Sequence, residues 1–406
     1  MTNRSSCGIL GVHQTDFAAN LRKQNRDVGD LAAEAAIGVL EAAEVDPSEI
    51  ESIHVGNAFG ALYTGQAHMA ALPATVIPEF WGVPAMRHEA ACASSSIAVL
   101  SAMAEIEAGR YDCVLVLGVE QERTMPGAEA AQVQHAAAWV GHETDGAEFI
   151  WPETFDRVAE EYDTRYGLDE SHLRAIGEIN LTNAKRNPHA QTRDWALSEA
   201  SFSSDDVANP VVSGRLRRND CCQITDGAAA VILASPQWLE RNKRRAVAQI
   251  TGWGHTTVGL PLDAKLSSSK NEPYVMPHVR DAIVGAWNRA GIAGAEELDA
   301  IETHDCMTPS EYLAIDHFGI TAPGQSWQAI EDGTIAHDGS LPVNPSGGLI
   351  GGGHPVGATG ARMLADATKQ VTDTAGEYQV EGARRVQTLN IGGSTASTVS
   401  FVVENT

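Results

Sequence analysis

The sequence predicts an α/β protein made of stacked layers of strands and helices. Three observations carry this. Strand-like apolar runs alternate with helix-like stretches along most of the chain. The alternation occurs twice, with the same local grammar. One run, Cys113-Val114-Leu115-Val116-Leu117-Gly118-Val119, is apolar without a break, as suits a strand buried on both faces. The chain has 406 residues, 43% of them hydrophobic, which is too much for one small core and fits two or three packed units.

The elements follow in order. Residues 30–45 read as an alanine-rich helix, Asp46-Pro47 as a turn, and 50–55 as a strand leading into Gly56-Asn57-Ala58. Residues 94–108 read as a second helix, with Ile97, Leu100 and Ala104 on one face and Gly109 as its stop. Asp226-Gly227-Ala228 opens another apolar strand, 229–234. The first grammar then returns: a helix at 278–290, a turn at 291–294, a strand at 298–303, and His304-Asp305-Cys306. An internal duplication is the simplest account of this repeat. A helix at 358–369 and two strands, 386–390 and 395–403, complete the expectation. Residues 121–221 break the rhythm with charged and aromatic residues and read as an inserted loop domain. The expected division is therefore 1–120 with 222–275, then 121–221, then 276–406.

Charge narrows the function. The formal net charge is −25, which repels phosphate backbones and anionic lipid, so neither nucleic-acid nor membrane binding is expected. The six cysteines are scattered and do not form a disulfide framework. There is no C-x-x-C or H-E-x-x-H, so no metal site is expected. Residues 1–11 lack the pattern of a secretory leader, no 18-residue apolar stretch occurs, and the last three residues are not a peroxisomal address. A reducing cytoplasm is the natural compartment.

Four places carry candidate chemistry. Cys92 stands at the start of the second helix, where free N–H groups favour a thiolate and can hold an oxyanion. Taken alone, a cysteine there also fits a buried structural thiol. Residues 344–357 place six glycines around His354, and a histidine so set could be the general base for a thiol. His304 and Cys306 fall on a strand-to-helix loop, followed by Thr308-Pro309-Ser310-Glu311, a helix start with a threonine N-cap. Asn390-Ile391-Gly392-Gly393-Ser394 reads as a tight glycine turn. Basic residues of the insert (Lys185, Arg186, Arg193, Arg215, Arg217, Arg218) either face an anionic ligand or form a solvated surface.

Taken together, in this order and spacing, these segments resemble the thiolase family over almost the whole chain. Gly56-Asn57 with Gly65-Gln66 and Asp226-Gly227-Ala228-Ala229-Ala230 belong to the match. The resemblance implies two duplicated βαβαβαββ halves in an α/β/α/β/α arrangement, with a loop domain for acyl-CoA. It implies a homodimer or homotetramer and acyl transfer in fatty-acid and lipid metabolism. Cys92 takes the place of the acylated nucleophile and His354 of the base that activates it. The N–H groups of Cys92 and Gly392 take the place of the oxyanion hole. His304 stands where most thiolases have asparagine, holding the thioester oxygen of the second substrate. Asn390 stands where most have a second cysteine. The His304-Asp305-Cys306 run is similar to the sterol-carrier-protein-2 type, in which Cys306 would handle the α-proton; Met307 replaces the phenylalanine of that motif. Arg215, Arg218, Ser346 and Gly353 are the expected substrate contacts. No cofactor is expected, because the coenzyme A thioester itself acidifies the α-carbon.

Two alternatives stay open. Relatives on this fold transfer acyl groups to non-CoA acceptors or cleave by retro-aldol chemistry, often with a small partner carrying an oligonucleotide-binding fold. Others bind lipid without catalysis. A ketoacyl synthase fits less well, since its histidine sits in an H-G-T context and this one sits in Gly353-His354-Pro355.

Overall fold

The computed structural model describes residues 7–143 and 146–406. The part of the leader expectation that concerns residues 1–6 lies outside it. Among the described residues nine strands form one sheet: β1 (Cys7–Gln14), β2 (Ser52–Gly56), β3 (Ala85–His88), β4 (Cys113–Gln121), β7 (Asp226–Ala234), β8 (Ala248–Thr257), β9 (Ala300–Thr303), β10 (Arg385–Gly392) and β11 (Ser397–Asn405). A small hairpin, β5 (Val211–Ser213) and β6 (Leu216–Arg217), lies apart.

The order is β3-β2-β4-β7-β1-β8-β11-β10-β9. In the first half, β2 is parallel to β3 and β4, while β7 is antiparallel to both β4 and β1. In the second half, β9 is parallel to β10 and to a bridge at Val343, while β11 is antiparallel to both β10 and β8. Each relation recurs, so the repeat expected from residues 30–55 and 278–303 is present as topology. The two halves meet where Cys7–Ile9 of β1 pairs antiparallel with Ala248–Ile250 of β8.

Alternation along the strands sorts the layers. Val114 and Val116 of β4 point inward, to a core shared with Val99 and Met103, Leu364 and Ala367, and Phe401. Leu115 and Leu117 point outward, to a core shared with Leu31, Ala35 and Val39. The helices Ser94–Glu107 and Thr359–Val371 therefore lie between the two halves of the sheet. The helices Val28–Ala43 and Pro277–Ala290 cover the outer faces. The five layers are those expected, with the two sheet layers continuous through β1 and β8.

Two local expectations are corrected. Thr308 is not an N-cap. Met307 takes that place without a side-chain cap, and Thr308 is the first residue of the helix Thr308–His317. Glu311 does not reach back to cap the helix, because it faces Asn180 and Asn344 in the interior. Asn390 to Gly392 are not in a turn. They continue β10, paired with Ser397–Val399 of β11, and the left-handed turn residues are Gly393 and Thr395.

The insert contains the helices Ile150–Tyr166 and Glu170–Ala184, which pack on the second half. Among the described residues no helix is long and apolar enough to cross a membrane.

Helix Pro277–Ala290 approaches β8 closely enough to require glycine there. A Cβ at Gly254 would overlap the Ala282 carbonyl, and one at Gly252 the Ala286 carbonyl. Gly254→Val is expected to cost at least about 1–3 kcal/mol, read as a lower urea midpoint. Gly127→Ala, where a Cβ meets nothing within 4 Å, should leave the midpoint unchanged.

Candidate active site

Cys92 follows β3 by way of Ala91, whose φ of 50° is a left-handed backbone that alanine adopts only when its surroundings impose it. The imposing contacts are local. Glu89 accepts from the Ala91 N–H at 2.6 Å, and the Ser94 hydroxyl donates to the Ala91 carbonyl at 2.6 Å. This bend aims the Cys92 thiol away from the helix Ser94–Glu107 and toward the second half.

There the thiol meets His354. The Nε2 of His354 lies 3.2 Å from the Cys92 Sγ. Its Nδ1 lies 2.7 Å from the Thr359 hydroxyl, which itself donates to the Pro355 carbonyl. That hydroxyl has spent its proton, so it accepts from Nδ1–H. The Nε2 lone pair therefore faces the thiol, which is the tautomer a general base needs.

Burial sets the resting charge. It pushes the Cys92 thiol up to about 12, against opposing hydrogen bonds from the N–H groups of Gly393 and of Cys92 itself. It pulls His354 down to about 3, with Arg362 adding to the effect. The pair rests as thiol and neutral imidazole. Burial thus raises the thiol, opposite in direction to the lowering expected of a helix start.

The remaining groups come from the second half. Cys306 and Met307 line the same cavity as Cys92 and His354, together with Phe155 and Gly393. Burial, with Cys92 and Asp305 nearby, raises the Cys306 thiol well above its ordinary value. The His304 ring stands edge-on to that of His354, 5.3 Å between centroids. Its Nδ1 faces the Asn390 amide nitrogen at 3.3 Å, and its Nε2 is buried without a partner. Burial first, then His354 and Arg362, hold His304 neutral. Cys92, His304 and His354 each offer one potential metal-ligand atom within 4.8 Å of the others. The sequence, read for ligand spacing, gave no sign of this cluster.

Placement separates the other candidates. Arg218 lies over the Trp195 ring and lines an adjoining cavity of about 540 Å³ that reaches His354. Arg215 does not join it, because Asp156 and Asp163 hold its guanidinium. Arg193 is likewise held by Asp16, and Arg217 by Asp206. Ser346 is fully buried behind the site, donating to Glu302 at 2.6 Å. Gly353 precedes the histidine with φ 107°, against Gln191 and Thr225. The N–H that reaches the Cys92 sulfur from the second half is that of Gly393, one residue past Gly392.

Several supporting residues escaped the sequence reading. Glu120 accepts the N–H groups of Ala58, Phe59 and Gly357, and Glu122 accepts that of Val356. Both are fully buried and raised by desolvation, Glu120 to about 7. They hold the backbone just after His354 against the first half. Two glutamates closing an apolar strand, in Gly118-Val119-Glu120-Gln121-Glu122, were the available signal. Behind the glycine-rich segment, Asp305 accepts the N–H groups of Leu349 and Ile350. Arg362 is paired there with Glu302 and Asp366.

Known proteins match this arrangement. The family model "Thiolase, N-terminal domain" matches residues 8–237, and "Thiolase C-terminal domain-like" matches residues 263–405. An acetyl-CoA acetyltransferase of Methanothermobacter thermautotrophicus is 32% identical over 393 residues, covering 95% of this chain and 96% of that protein. Human sterol carrier protein 2 is 29% identical, covering 96% of this chain and 71% of that protein. The solved structure of an Ltp2-ChsH2(DUF35) aldolase shares the fold with a TM-score of 0.77 at 20% identity, covering 99% of this chain and 98% of that one. With both family models matched in chain order and a relative of this identity along its whole length, the chain belongs to the thiolase family.

Proposed function

We propose that this protein is an acyl-CoA C-acyltransferase of the acetyl-CoA acetyltransferase type, forming or cleaving a 3-oxoacyl thioester through an acyl group carried on Cys92. The supporting observation is the Cys92–His354 pair at 3.2 Å, with the base in its accepting tautomer, in a cavity that Cys306 also lines.

In the first half-reaction His354 Nε2 takes the thiol proton as Cys92 attacks the thioester carbonyl. The N–H groups of Cys92 and Gly393, which hydrogen-bond to the sulfur, are our candidates for holding the oxyanion, with Gly393 in place of the expected Gly392. Coenzyme A leaves as the thiol, taking the proton back from His354. In the second, Cys306 exchanges the α-proton of the other thioester, whose carbonyl oxygen accepts from His304. Cys306 rests as the thiol: in cleavage it donates to the leaving carbanion and is reprotonated by His354, and in synthesis it gives that proton to the neutral His354 before it takes the α-proton. No further cofactor takes part. The cavity that Arg218 lines is our candidate for the coenzyme A arm, in place of the paired Arg215.

A second reading is favoured by the fold likeness to the Ltp2-ChsH2(DUF35) aldolase. It keeps Cys92 and changes the acceptor, with a small partner protein completing the site. In either reading we place the protein in the cytoplasm as a homo-oligomer. The sheet ends on β3, where Met86 is exposed and Trp81 is 78% exposed.

Incubation with acetyl-CoA should add one acetyl group to the intact mass, and Cys92→Ala should abolish it. No increment with acetyl-CoA or longer acyl-CoAs would defeat the proposal. His354→Asn should slow single-turnover acylation by about 10²–10⁴. Cys306→Ala should still acylate but lose carbon–carbon bond turnover. Neutral His354 persists down to about pH 3 and the Cys92 thiol up to about pH 12. The acylation rate should therefore be flat between about pH 5 and pH 9, and fall in acid only as His354 takes a proton. A bell centred near pH 7 would contradict the neutral resting pair.

A further inference from the structure

Asn390 replaces an ionisable cysteine with a neutral amide, and its contacts give that amide a direction. The Ser96 hydroxyl donates to the Asn390 Oδ1 at 2.8 Å. The amide nitrogen is thereby turned to the Nδ1 of His304, 3.3 Å away. Two donors cannot meet across that distance, so His304 Nδ1 presents its lone pair and the ring proton sits on Nε2. Nε2 is the atom left buried without a protein partner, on a ring that offers one ligand atom within 4.8 Å of those of Cys92 and His354.

The same geometry bears on the three potential metal ligands that stand together here. Cys92 and the lone pair of His354 are two good ligands for a soft divalent cation. With Nδ1 turned to Asn390, the atom left to serve as a third is His304 Nε2, and a ring nitrogen that carries a proton cannot ligate.

We infer that Asn390 is a positioning residue that holds His304 in the Nε2–H tautomer. It thus keeps a hydrogen-bond donor aimed at the thioester oxygen and withholds the lone pair that would complete a zinc-type site on Cys92, His304 and His354. The first part rests on the proposed acyltransferase reading. The tautomer and the metal exclusion do not.

Asn390→Asp is the discriminating variant. It is nearly the same size, and one carboxylate oxygen can still accept from Ser96. The other accepts from His304 Nδ1–H, moving the ring proton and freeing Nε2. A carboxylate behind a histidine also strengthens that histidine as a ligand. Titration with Co²⁺, followed by thiolate-to-metal charge-transfer absorption, should show the variant binding about tenfold to hundredfold more tightly than the parent protein. The signal should be lost when Cys92→Ala is added. Carbon–carbon bond turnover should fall by about 10²–10³, as for loss of one oxyanion donor. Nitrogen-15 spectra of the histidine rings, assigned with His304→Gln, should show Nε2–H in the parent protein. Asn390→Ala, which frees the ring, gives a second test should the aspartate variant not fold. It should show mixed tautomers.

Equal Co²⁺ affinity in parent and aspartate variant, or Nδ1–H in the parent, would overturn the inference. If the parent acylates and condenses but the aspartate variant condenses equally well, the role of Nε2–H is overturned while the acyltransferase reading stands. If the parent never acylates, that reading fails, and the cobalt and nitrogen-15 results still decide the tautomer.

Discussion

The site depends on how closely the starts of the two central helices approach each other. A Cβ at Gly118 would come within 2.7 Å of the Ala358 Cα and 2.9 Å of the Ser95 Cβ. A Cβ at Gly56 would strike the Ser95 backbone, and one at Gly360 the Ser96 side chain. Glycine on the two parallel strands and on the second helix lets Ser95 and Ser96 sit against bare backbone. Ser95 then accepts from the Ala361 N–H at 3.0 Å, and Ser96 reaches Asn390. Cys92 and His354 hang from the ends of these two helices, so their 3.2 Å contact follows from backbone packing.

Electrostatics complement that packing. The protein carries a large negative charge, yet its reacting groups rest neutral, because burial dominates each of them. The buried acids nearby serve as scaffolding. Glu120, Glu122 and Asp305 spend their oxygens on backbone N–H groups, while Glu302 and Asp366 share Arg362. Glu120 and Glu122 tie the backbone after His354 to the first half, and Asp305 ties the His304 loop to the glycine-rich segment.

The fold was legible because period and burial coincide. The unbroken run of β4 is buried along its length, and the helix read at 94–108 is the helix Ser94–Glu107. Register and capping were less legible. Thr308 looks like a cap, yet the chain turns one residue earlier and Glu311 faces inward. Of the site, the sequence pointed to Cys92, His304, Cys306 and His354, which the structure brings together. It did not foresee how strongly burial raises the Cys92 thiol. Nor could it tell Arg218, stacked on Trp195, from Arg215, which is locked between two aspartates. Pairings across the fold leave no mark in local sequence.

The two central helices occupy equivalent places in the duplicated halves. Cys92 comes two residues before the first helix, Ser94–Glu107, and His354 five residues before the second, Thr359–Val371. Thiol and base thus come from corresponding connections into the central helices, one from each copy. Neither copy holds a working pair by itself, and the chain acquires its reactive centre only when the second half has closed onto the first. A fragment that holds only the first half would carry the thiol without the imidazole that faces it in the whole chain.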